Sequence, residues 1–145
     1  MKLDFLAIAD YVSQTPDGKL TIVGVFDAVL NPKAPAQLAT MGIAARFRGE
    51  TKDADGKPIK VLVKLKDPNN NIMVQIEADL TPPPNLQAAD RSRTSLSIPF
   101  MAQNLVLPVH GTYTIEIWIN QKLEGSTNLY VGPPVQQAPV VAKVG

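Results

Sequence analysis

Cysteine is absent from the 145 residues of this chain, so neither a disulfide nor a thiolate metal site is available to it. The absence fits a reducing compartment. Histidine occurs once, at His110. A nucleophile–base pair needs a titratable base within hydrogen-bond reach of a Ser, Thr or Cys, and catalytic zinc usually takes three protein ligands with histidine prominent among them. A single histidine between Val109 and Gly111 in a turn serves neither purpose and reads as a surface loop residue. No Walker-type glycine-rich loop and no GxGxxG is present to cradle phosphate. An excess of one charge is missing too: 14 Lys and Arg against 13 Asp and Glu leave a formal charge of +1. Sequence-independent nucleic-acid binding needs clustered cations, so no nucleic-acid partner is expected. No run approaches the ~18 apolar residues that span a bilayer. The opening LDFLAIADYV is interrupted by Asp4 and Asp10 and followed by no small-residue cleavage pattern, so it reads as a strand rather than a signal peptide. The expectation is a soluble, cytoplasmic protein with no membrane partner, no cofactor, no metal site and no catalytic residues.

What is present is alternation. From Pro108 to Val131, Tyr113, Ile115, Ile117 and Ile119 fall on one face of a strand, and Thr112, Thr114, Glu116, Trp118 and Asn120 on the other, before the chain turns and alternates again. This predicts a terminal hairpin. Two apolar runs, Leu3 to Val12 and Leu20 to Leu30, flank Thr15-Pro16-Asp17-Gly18 and predict a first hairpin of central or twice-covered strands, with Gly24 as a bulge or close approach. Asn31-Pro32-Lys33-Ala34-Pro35 breaks the ladder. A third strand is expected from Gln37 to Arg48, and Asp53-Ala54-Asp55-Gly56 is expected to turn the chain. Val61, Val63 and Leu65 alternate with Lys60, Lys64 and Lys66, while Ile72, Val74, Ile76 and Ala78 alternate with Gln75, Glu77 and Asp79. Inward positions are odd in one run and even in the other, so opposed residue numbers must sum to an odd value and the loop must hold an even number of residues. A sum of 139 sets Lys60 against Asp79 and makes the lysine stripe a charge-paired sheet face rather than an anion site.

Thr81-Pro82-Pro83-Pro84-Asn85 opens a polar connection through Arg91. A sixth strand carries Leu96, Ile98 and Phe100, with Pro99 confining it to an edge or an irregular end. At 145 residues one domain could bury roughly 68–70% of its unfolded surface without staples. The fold class is therefore all-β: an antiparallel two-sheet sandwich of about eight strands over residues 1–131, followed by a flexible proline-rich tail over 132–145.

His110-Gly111-Thr112-Tyr113-Thr114-Ile115 resembles the tyrosine corner of immunoglobulin-like sandwiches, in which the tyrosine returns its hydroxyl to the backbone and Ile115 stands where antibody domains place a cysteine. The resemblance implies an immunoglobulin-like architecture and no activity. The opening block KLDFLAIADYVSQTPDGKLTIVGVFDAV, taken with GTYTIEIWIN, is similar to a family of uncharacterised bacterial proteins of about 130–150 residues. That resemblance implies a compact β domain and transfers no functional residue.

Candidate sites are few. Asp53-Ala54-Asp55-Gly56 resembles part of a calcium loop, but Thr51 and Leu62 stand where ligands are needed, which leaves a hairpin turn. Asp4, Asp10 and Asp27 lie within or beside apolar strands and are either strand-end residues bonded to nearby amides or a polar cluster at one end of the sandwich. Trp118 resists a bland account, since parity points it outward with Glu116. Pairing Ile117 with Leu129 sets Asn128 opposite Trp118 and Tyr130 opposite Glu116, which makes Trp118, Tyr130, Glu116 and Asn128 the candidate binding residues. The cover for the indole is the tail or a crossing loop, a protein partner or second subunit, or a small ligand. The leading expectation is a non-catalytic protein-interaction or structural module. The alternatives are a carbohydrate- or small-ligand-binding module using the aromatic face, and an enzyme pairing Asp10 or Asp27 with Arg46 or Arg48.

Overall fold

The computed structural model describes residues 1–49, 57–81 and 94–134. The described residues form nine strands and no helix: β1 Lys2–Gln14, β2 Leu20–Val25, β3 Ala28–Leu30, β4 Ala36–Gly49, β5 Ile59–Lys66, β6 Ile72–Leu80, β7 Thr94–Leu107, β8 Gly111–Ile119 and β9 Lys122–Gly132. They make a sandwich of two sheets, one ordered β2-β1-β4-β7 and the other β3-β9-β8-β5-β6. The Asp53–Gly56 turn, the proline-rich segment after Thr81 and the residues from 135 onward lie outside the described residues.

The period-2 patterns explain the core. Val61, Val63 and Leu65 from β5, Tyr113, Ile115, Ile117 and Ile119 from β8, and Leu129 and Val131 from β9 meet Ile8, Met41, Ile43, Phe47, Ile98 and Leu107 of the facing sheet. Tyr113 is fully buried there, and its hydroxyl donates to the Val109 carbonyl at 2.8 Å and accepts from the Val109 amide at 3.2 Å. That pair of bonds satisfies a phenol placed among apolar groups.

Several expectations need correction. There are nine strands rather than about eight, because the second apolar run is split. β2 pairs antiparallel with β1, then Phe26 and Asp27 carry the chain across to the other sheet, where β3 runs parallel to β9. β2 is consequently an edge strand, not a central one. β1 is central and covered on both faces over part of its length: Ala9, Val12 and Ala44 form a second small core with Phe5, Leu20, Ile22 and Met101 packed around it. Gly24 (φ 68°) sits where any side chain would run into the Asp10 carboxylate, so glycine is required on both conformational and steric grounds.

The β5–β6 ladder has the expected sum, from Ile59↔Leu80 and Lys60↔Asp79 to Leu65↔Val74. The loop nonetheless holds five residues, Asp67–Asn71, since the ladder shifts by one at Lys66↔Ile72 and this irregularity absorbs the odd residue. The Asp67 carboxylate accepts from the amides of Asn69 and Asn71, and Asn70 takes the left-handed conformation (φ 67°). β7, which carries Pro99, is the far edge of its sheet, as proline's missing donor demands.

Candidate functional site

The β8–β9 register differs from the one expected. The turn is the two-residue Asn120-Gln121, both at positive φ (46° and 70°), joining Ile119↔Lys122. Asn120 suits the left-handed region, and it is anchored from outside: its amide donates to the Lys60 carbonyl at 2.9 Å and its side-chain oxygen accepts from the Lys60 amide at 3.1 Å. Gly125 lies within β9 opposite Ile117, where a Cβ would collide with the Leu3 side chain of the facing sheet. With Trp118 facing Leu123 and Ile117 facing Gly125, Glu124 is the extra residue of a bulge. Asn128 therefore stands opposite Thr114 and Tyr130 opposite Thr112. Relative to the expected pairing both are displaced four residues along the strand, about 13 Å at ~3.3 Å per residue. Of the four candidate residues only Glu116 and Trp118 come together.

These two belong to a packed polar layer on the outer face of the five-stranded sheet. Across the β5–β8 ladder, Lys64 faces Glu116, Leu62 faces Trp118 and Lys66 faces Thr114. The Lys66 ammonium reaches diagonally to the Glu116 carboxylate at 2.7 Å, with side chains only 17% and 13% exposed, and the indole N–H donates to the other Glu116 oxygen at 3.0 Å. Lys64 Nζ lies 4.6 Å from the indole centroid, over its face. Burial by itself would raise the Glu116 pKa. The hydrogen bonds from Lys66 and Trp118, with the charges of Lys66 and Lys64, outweigh it and hold the carboxyl below the ordinary glutamate range. The cover over Trp118 that parity demanded is thus supplied in large part by the neighbouring strand. Alternation places Lys64, Lys66, Glu116 and Trp118 on outward faces, but the β5–β8 pairing that joins them is not among the sequence expectations, which match the lysine stripe with the carboxylates of β6.

The remaining candidates are dispersed. Asp4 Oδ2 pairs with Arg48 Nε at 3.0 Å, and Arg46 lies over the Phe5 ring at 5.3 Å. Neither arginine is held by Asp10 or Asp27 among the described residues. Asp10 is exposed beside Gly24, Asp27 is exposed at the crossover between sheets, and His110 is exposed in its turn. No group of three or more His, Asp or Glu side chains is placed to hold a metal ion among the described residues.

Sequence reasoning missed the β1–β2 hairpin as a surface. Tyr11 and Val23 are cross-strand partners, 51% and 54% exposed, and Val25 is 68% exposed. Below Val25 the sheet opens. β4 accompanies β1 along Lys2–Ala9, but β2 accompanies it only along Ala9–Gln14. A cleft of about 330 Å³ lies against the unaccompanied stretch, between Leu6, Ala7 and Ile8 on one side and Val25, Asp27 and Thr127 on the other. The signal available in sequence was Gly24 followed by Asp27, which interrupts an otherwise apolar run at the place where the strand changes sheets.

No curated protein matches this chain. Among solved structures it is similar to an immunoglobulin-like protein from Pseudomonas aeruginosa, at 10% identity and a TM-score of 0.38 over 90% of this chain and 94% of that one. Residues 4–132 match the model of a Family of unknown function (DUF6941), and the chain belongs to that family.

Proposed function

We propose that this β-sandwich is a non-catalytic protein-interaction module whose contact surface is the β1–β2 hairpin. The observation that carries this reading is the exposed pair Tyr11 and Val23, with Val25 beyond Gly24, on the edge of a sheet. Exposed apolar side chains scattered singly are ordinary, whereas three on adjoining strands, one of them a tyrosine, form the kind of patch that interfaces use. β2 from Leu20 to Val25 also carries no charge and no proline, the usual guards of an edge strand, and only the Gly24 kink interrupts it. The other edges are guarded: β6 by Glu77 and Asp79, β7 by Pro99, and β3 by its three-residue length.

The Trp118 face, where sequence alone points for a partner or a second subunit, supports the reading less well. Its indole is committed to Glu116 and Lys64, and a sugar stacking on the ring would first have to displace the lysine ammonium. A tagged chain recovered from its native cells, with and without Tyr11→Ser/Val23→Thr, tests the reading. A co-purifying protein or self-association lost in the double variant and kept in Trp118→Ala supports it; association insensitive to the hairpin overturns it.

A further inference from the structure

We propose that the cleft beside β1 takes an extended peptide segment of a separate polypeptide, laid alongside Leu6 and bonded to its main chain, with a lysine or arginine set against Asp27. The proposal rests on the interaction-module reading and names the class of partner.

The argument starts from the phase of the β1 ladder. The Phe26 amide donates to the Ile8 carbonyl at 2.9 Å, so the main-chain groups of Ile8 point toward the β2 side rather than toward β4. In an antiparallel ladder these directions alternate, and the register with β4 is unbroken from Phe5↔Arg46 to Ala9↔Gly42. The N–H and C=O of Leu6 therefore point the same way as the Ile8 carbonyl, into the cleft. β2 has left the sheet by this point: after Phe26, Asp27 gives its carbonyl to the Tyr130 amide at 2.9 Å on the other sheet. Among the described residues no strand pairs with Lys2–Ala7 on this side. Beyond Phe5 the edge is irregular, with a register shift between Leu3 and Phe5 and the charges of Asp4 and Lys2. The usable stretch is thus short, from Phe5 to Ala7, with Leu6 alone turning its main-chain N–H and C=O to the cleft, since the Ile8 carbonyl is already taken by Phe26.

Charge then selects the occupant. Asp27 is exposed on the cleft wall and, like Asp10, Asp67, Glu77 and Asp79, forms no ion pair among the described residues; of these carboxylates it is the one that lines the cleft. Val25 beside it is the most exposed large apolar side chain among the described residues. A strand lying in this cleft gains main-chain bonds to Leu6, apolar contact with Val25 and a counter-charge to Asp27. Recognition by strand addition works in this way, with ladder bonds for affinity and side-chain contacts for specificity.

The test is a library of random heptapeptides displayed on phage, selected on the full chain and counter-selected on Asp27→Lys, a substitution at an exposed position whose fold is checked by its amide spectrum. The winning peptide is then titrated into the 15N-labelled protein. We expect selected sequences to share a Lys or Arg among apolar residues. The largest amide shifts should fall at Leu6, Ile8 and Phe26, and affinity should drop about tenfold in Asp27→Lys and on N-methylation of alternate peptide bonds. Selection of sequences without a basic residue, shifts centred on β6 or on the Trp118 face, or no enrichment at all would overturn the proposal. So would shifts at Leu6 that appear on concentrating the protein alone, which would make a second copy the occupant. If the peptide fails while hairpin-dependent association persists, only this proposal falls; if hairpin variants leave association untouched, the reading beneath it falls as well.

Discussion

The outer face of the five-stranded sheet and the exposed side of the β1–β2 hairpin both carry an aromatic residue on a strand, yet they are built in opposite ways. Around Trp118 every polar group has been given a partner: the indole N–H to Glu116, Glu116 to Lys66, and the ring face to Lys64. Tyr11 is about half exposed, and its cross-strand partner Val23 is exposed as well. Satisfied, half-buried networks rigidify a fold, because breaking one leaves a desolvated group without its bond. An apolar pair left in water adds little to the fold and has its area free for a partner. The indole that parity singles out thus has its N–H and ring face engaged within the chain, whereas Tyr11 leaves about half of its surface to solvent.

Substitutions can break this contrast, and the largest effect should come from the main core between the sheets. Ile117→Ala, at a fully buried position facing Gly125, is expected to cost about 2–5 kcal/mol in urea unfolding. Trp118→Ala should cost about 2 kcal/mol, since it removes a half-buried indole and its stacked cation and leaves Glu116 short of a donor. A cost below ~0.5 kcal/mol would mean that the network does not hold in solution. Glu116→Gln should cost about 1–2 kcal/mol at neutral pH, the lower part of the range for bonds to charged groups because the site is not wholly dry.

The same residue gives a pH signature. The folded-state pKa of Glu116 lies below its ordinary value, so the carboxylate's contribution is complete above the ordinary glutamate range and is lost as pH falls through the depressed folded-state value. Glu116→Gln should flatten that acid limb of the stability curve, and an unchanged limb would remove Glu116 as its source. Tyr113→Phe should cost about 0.5–1.5 kcal/mol through the lost bond to Val109. Smallest of all, Tyr11→Ser/Val23→Thr should move the unfolding midpoint by an amount equivalent to less than about 0.5 kcal/mol per site, as exposed positions do.

Sequence patterning carried the sandwich and much of its core because period-2 alternation is a property of each strand alone. The isoleucine row of β8, the valines of β5 and the β5–β6 sum of 139 follow from that periodicity. What parity could not convey is where a ladder slips. The bulge at Glu124 and the non-glycine turn Asn120-Gln121 depend on tertiary anchors, namely Lys60 holding Asn120 and Leu3 filling the space above Gly125. A register centred on the wrong turn moved Tyr130 and Asn128 next to Trp118, and half of the candidate site went with it. The split of Leu20–Leu30 between two sheets was hidden for a related reason: an apolar run looks the same whether it stays in one sheet or changes over at Phe26 and Asp27.

The most direct measurement pairs stability with association in two variants of the full chain, Tyr11→Ser/Val23→Thr and Trp118→Ala, each followed by urea unfolding and by sedimentation with whatever co-purifies from native cells. The account predicts a near-unchanged midpoint with lost association for the hairpin variant, and a lowered midpoint with retained association for Trp118→Ala once both are compared at a temperature where each is folded. The reverse pattern, a destabilised hairpin variant that still associates beside a stable Trp118→Ala that does not, would contradict it.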